Sequence, residues 1–94
     1  MSALSLSVAP SESVLRRVAL LLSNYVCDLK YYERPRFCPS TLLANYDLSE
    51  RDVNLILCEL ESEFQVDLDE VDERAVTRVE HLCDLIEARL RTAL

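Results

Sequence analysis

The chain contains no glycine at all, although average usage of about 7% would place six or seven in a chain of this length. That absence constrains the fold more than any motif. A phosphate-binding P-loop and a dinucleotide fingerprint both need glycine where the backbone meets a phosphate. The tight Asn-Gly hairpin turn needs it for positive φ. An all-β domain and a nucleotide-binding α/β domain are therefore nearly excluded, and helices joined by irregular loops remain.

The sequence has the means to build such a fold. Half of its 94 residues are hydrophobic and 29% are charged, enough apolar material for one core and far from the composition of a disordered tail. We expect residues 1–94 to form a single domain, with 1–9 as a flexible N-terminus. The net charge of −7 argues against a nucleic acid or an anionic membrane as the main partner. It is also unevenly placed. Residues 1–46 carry three acids (Glu12, Asp28, Glu33) against five bases, and residues 47–94 carry fourteen acids against five bases. One half is mildly basic and the other strongly acidic, a pattern equally fitted to a partner surface and to solvated helix faces.

Three segments show helical periodicity. In the first, from about Ser11 to Leu29, Val14, Val18, Leu21, Leu22, Tyr25, Val26 and Leu29 recur at spacings of three and four. Pro10 suits its entrance. In the second, Glu50 to Phe64, the stripe is Val53, Ile56, Leu57, Leu60 and Phe64, and Ser49 with Asp52 reads as a capping box. In the third, about Arg78 to Arg91, it is Val79, Leu82, Cys83, Ile86 and Leu90, with Thr77 and Glu80 as its box and Arg89 and Arg91 at its negative dipole end. Asp69–Arg74 predicts one short helical turn within the Gln65–Val76 segment. The connection Lys30–Leu48, about 18 residues, is long for a bundle, so it is either functional or packed down by Leu42, Leu43 and Tyr46. The expected architecture is all-α: a four-helix bundle of three long helices, one short helix and a long first loop.

Isolated chemical features point to little catalysis. Cys27, Cys38, Cys58 and Cys83 form no C-x-x-C pair and His81 is the only histidine, so no metal site is expected. The cysteines read mostly as small buried hydrophobes, with Cys38 the thiol expected to be exposed. Asp67, Asp69, Asp72 and Glu73 lack the central glycine of a calcium loop. Lys30–Phe37 interleaves bases with aromatics, which fits anchoring of the loop or a docking strip for a protein better than contact with a nucleic acid. The chain lacks a basic n-region and a membrane-length apolar run, so we expect a cytoplasmic protein with no membrane insertion.

The run Pro39–Phe64, PSTLLANYDLSERDVNLILCELESEF, resembles the acyl carrier protein family without a gap, most tellingly at Leu43, Leu48, Asp52, Leu60, Glu61, Glu63 and Phe64. Val66 to Leu68 and Thr77 to Val79 look like the family's segment after its second helix and the start of its last one. The resemblance implies a four-helix carrier scaffold whose acidic second helix docks basic patches of partner proteins. It breaks where the family carries Asp-Ser-Leu, whose serine holds 4′-phosphopantetheine: those positions are Ser49, Glu50 and Arg51 here. Leu55 stands where an acid is typical, and Asn54 and Cys58 at positions normally apolar. Asp47 and Gln65 occupy positions where such proteins commonly place glycine.

Two functional expectations follow. The first is an acyl-carrier-like domain without its prosthetic-group serine, neither enzyme nor cofactor carrier, acting as an adaptor that docks a protein through Asp47, Glu50, Arg51, Asn54, Leu55, Cys58 and Glu59. The second is a working carrier with 4′-phosphopantetheine on Ser49, serving fatty-acid, polyketide or related biosynthesis. The apolar residues of the second helix also allow the domain to pair with itself.

Overall fold

The computed structural model describes residues 12–92. Pro10 and the flexible segment expected over 1–9 lie outside the described residues. Three α-helices follow in order, α1 (Glu12–Leu29), α2 (Glu50–Phe64) and α3 (Val79–Thr92), with 3₁₀ turns at Leu43–Tyr46 and Glu73–Ala75. The described residues contain no strand; their nearest approach to one is a single antiparallel bridge between Leu42 and Arg78. The all-α expectation is met at the level of class.

The periodic stripes become the core. Val14, Val18, Leu22, Tyr25 and Val26 of α1 meet Val53, Ile56, Leu57, Leu60 and Phe64 of α2 and Val79, Leu82, Cys83 and Ile86 of α3. The outermost members of two stripes escape it: Leu29 is 56% exposed at the last residue of α1, and Leu90 is 36% exposed near the end of α3. Two cross-links run α1 and α2 in opposite directions. Arg17 near the start of α1 pairs with Glu63 at 3.0 Å and lies over the Phe64 ring at 4.1 Å. Near the end of α1, the Tyr25 hydroxyl donates to Asp52 at 2.7 Å.

The short fourth helix expected over Asp69–Arg74 is not formed. Asp72 accepts from the Arg74 N–H and starts only the three-residue 3₁₀ turn Glu73–Ala75, after which Val76 is extended and buried. Leu68 and Val76 thus enter the core from non-helical backbone on either side of that turn.

The third helix begins differently from its expected box. The N–H groups of Val79 and Glu80 donate to the carbonyls of Thr41 (3.0 Å) and Pro39 (2.8 Å), and the Leu43 N–H donates to Thr77 O (2.9 Å). The long loop therefore satisfies donors that a helix start leaves unpaired. His81 turns its ring back, and Nδ1 accepts from the Thr77 and Arg78 N–H groups at 3.0 and 3.1 Å. The long loop is packed down as Leu43 and Tyr46 implied. Leu43 is buried, and Tyr46 meets Tyr32 edge-to-face (5.0 Å between centroids) and Phe37 at a tilt (4.7 Å), whereas Leu42 and Tyr31 stay exposed.

Candidate functional site

The start of α2 gathers the residues on which the functional question turns. Ser49 has extended backbone and caps the helix. Its Oγ accepts from the Asp52 N–H (3.3 Å) while the Ser49 N–H donates to Asp52 Oδ2 (2.9 Å), so the capping box closes as the sequence implied. The Ser49 hydroxyl also lies 3.0 Å from the same Oδ2 and donates to it. As donor and as acceptor, the hydroxyl is engaged with Asp52.

Asp52 is the hub. Besides Ser49, it accepts from Tyr25 and pairs with Lys30 Nζ at 3.1 Å, its side chain 14% exposed. Burial alone would push this carboxyl up. The hydrogen bonds from the Ser49 backbone, Tyr25, Lys30 and the Ser49 hydroxyl outweigh it and hold the group well below the usual carboxylate range. Burial, then the hydrogen bond to Asp52, pushes the Tyr25 hydroxyl up to about 12. The network is an ionised carboxylate held in place by its donors, and it supplies no base or nucleophile poised for chemistry.

Outside this hub the expected docking residues lie together. Glu50, Arg51, Asn54, Leu55, Cys58 and Glu59 are all exposed on α2, opposite its buried stripe, and Leu55 is 45% exposed. At about 100° per residue they cover roughly half the helix circumference. Asp47 adjoins this face just before the cap. Its backbone is left-handed (φ 59°, ψ 33°), and its carboxylate accepts from the Tyr32 hydroxyl at 2.9 Å, tying the aromatic loop to the mouth of α2. That hydrogen bond raises the Tyr32 hydroxyl above its ordinary value. A hollow of about 360 Å³ opens beside Ser49 and Glu50, walled by Leu42, Leu43, Leu48, Val53 and Val76.

At the far end of α2, Glu61, Asp67 and Asp69 bring carboxylate oxygens within 4.8 Å of one another. Asp72 and Glu73, grouped with Asp67 and Asp69 by sequence, lie apart in the 3₁₀ turn. Glu61 Oε2 accepts from the Leu68 N–H (2.6 Å) and Asp67 Oδ1 from the Asp69 N–H (2.9 Å), so both shape the turn that follows α2. Repulsion from Asp67 raises the Asp69 carboxyl above its usual value.

The cysteines correct the sequence reading. Only Cys83 is buried; Cys27, Cys38 and Cys58 are exposed. Each of the exposed three falls off its helix's apolar stripe or in the loop, a distinction that residue type alone misses. Burial, then nearby Asp84, pushes the Cys83 thiol up to about 11, which leaves it unreactive. Tyr25 is not among the expected site residues, and Lys30 is expected only as part of the Lys30–Phe37 strip. The available signal was Tyr25 itself, a tyrosine on a buried stripe whose hydroxyl needs a partner.

No protein-family model, curated protein or solved structure matches the chain.

Proposed function

We propose that this chain is an acyl-carrier-like domain that carries no prosthetic group and acts as an adaptor, docking a protein partner through the exposed face of α2. The observation that carries the reading is the state of Ser49, whose hydroxyl is engaged by Asp52 as both donor and acceptor. A phosphodiester on that oxygen would break the hydrogen bond to Asp52 and set new negative charge beside Asp52 and Glu50. The side chains at this position therefore fit a phosphopantetheine arm poorly. Glu50, at the family's attachment position, offers a carboxylate in place of a hydroxyl.

The docking face supports the same reading. Leu55 supplies exposed apolar area and Arg51 a cation with no ion pair among the described residues. Interfaces concentrate their energy in a few such residues, so these two are the anchors and Glu50, Asn54, Cys58, Glu59 and Asp47 surround them. The exposure of Leu55 equally suits a second copy of the chain, and the partner need not be a different protein.

A working carrier armed at Ser49 draws support from the 360 Å³ hollow beside that residue, which has apolar walls. Incubation with coenzyme A and several permissive phosphopantetheinyl transferases separates the two readings. The adaptor stays at its unmodified mass. A gain of one arm, abolished by Ser49→Ala, would overturn it.

A further inference from the structure

A second hollow, distinct from the α2 face, lies between the segment after α2 and the outer side of α3. It has a volume of about 440 Å³ and a floor of Val71, Val76 and Leu85, extended by Ala75 and Ala88. Val76 and Leu85 belong to or pack against the core, so the floor is fixed by the fold. Its rim is acidic. Glu70 and Asp84 are exposed on it, and neither forms an ion pair with a described cation. Asp72 also lies there, already engaged with Arg74. Arg89 is the cation on this rim, and its Nε is tethered to the Asp67 carbonyl at 2.9 Å. His81 stands in the wall with Nδ1 committed to two backbone N–H groups, which leaves Nε2–H as the ring's remaining donor.

We infer that this hollow is a docking site for a basic segment of a protein partner, one apolar side chain entering the hollow and flanking Lys or Arg residues meeting Glu70 and Asp84. Charge complementarity argues for this occupant. An apolar floor and unpaired carboxylates favour an amphipathic ligand of positive sign. The hollow is open to solvent and covers only part of whatever enters it. A chain segment adds contacts beyond the rim, which a small cation does not. The site is independent of the α2 face, so its failure would leave the adaptor reading standing.

The test is an amide NMR titration of the full chain with a synthetic peptide, Lys-Lys-Ser-Leu-Ser-Lys-Lys. Two control peptides replace the lysines by glutamate or the leucine by serine. Saturable shifts centred on Val71, Ala75 and Leu85, absent with both controls, are expected. Glu70→Lys/Asp84→Lys should weaken binding by about tenfold or more, a change of about 1.4 kcal/mol. Ala88→Phe, which fills the hollow without touching the rim charges, should do the same while leaving the thermal transition in place. No saturable shift, shifts confined to the α2 face, or an equal loss from Asp28→Lys on α1 would each overturn the proposal, the last by showing attraction to net charge alone.

Discussion

Asp52 collects donors from three other residues, Ser49, Tyr25 and Lys30, on one nearly buried carboxylate, and that makes it the most consequential single side chain at the mouth of α2. Because its folded pKa lies below the ordinary 3.8, its stabilisation is complete above that value and is lost as pH falls through the lower folded value. Acid titration followed by circular dichroism should show stability declining below about pH 4, and Asp52→Asn should flatten that decline. At neutral pH the same substitution should cost about 2 kcal/mol, and Tyr25→Phe somewhat less, since a hydrogen bond to a charged group is worth about 1.5–3 kcal/mol. At Gln65 the missing glycine becomes a physical strain: its backbone is left-handed at φ 58° and ψ 48°. That region disfavours residues with a Cβ by about 1–2 kcal/mol. Gln65 recovers part of this through its side-chain amide, which donates to the Ser62 carbonyl at 3.0 Å. Gln65→Gly should therefore raise the denaturation midpoint modestly, by about 0.5–1 kcal/mol of stability.

Among the elements, α2 was the most legible. Its stripe, its first residue and its capping box are all local patterns, fixed by spacings of three and four, and each stands in the structure where the sequence put it. Leu60 at the centre of that stripe is wholly buried, so Leu60→Ala should lose about 2–5 kcal/mol in chemical denaturation. The start of α3 was not legible in the same way. Thr77 and Glu80 have the spacing of a box, yet the donors of that helix go to Pro39 and Thr41, carbonyls brought from the long loop by tertiary packing. No local rule foresees a partner on another element. The same limit hid the Tyr25–Asp52 bond: a buried-stripe tyrosine and a capping-box acid each carry a local signal, but they meet only because α1 and α2 run antiparallel. The expected short helix failed for a tertiary reason too: the turn capped by Asp72 ends in extended Val76, whose burial in the core holds the chain away from a helical continuation.

At the scale of the molecule, the absence of glycine and the helical periodicities together point to the class, and the described residues form helices and no strand. The charge asymmetry acquires a location as well. Glu50 and Glu59 lie on the exposed face of α2, while Glu70, Asp72 and Asp84 surround the hollow beside α3, so the acidic half offers two separate surfaces. If the chain docks a basic partner as proposed, that association should weaken as salt is raised, because exposed charges are screened within about 10 Å at 0.1 M ionic strength. On the proposed reading, Arg51→Glu should weaken docking at the α2 face by removing one of its two anchors, without lowering stability, as a pull-down and a thermal melt would register. The central claim, that this scaffold works without an arm, is tested most directly by the intact mass of the protein purified from its native host. The expected result is the mass of the bare polypeptide; a species heavier by one phosphopantetheine arm, mapped to Ser49, would contradict it.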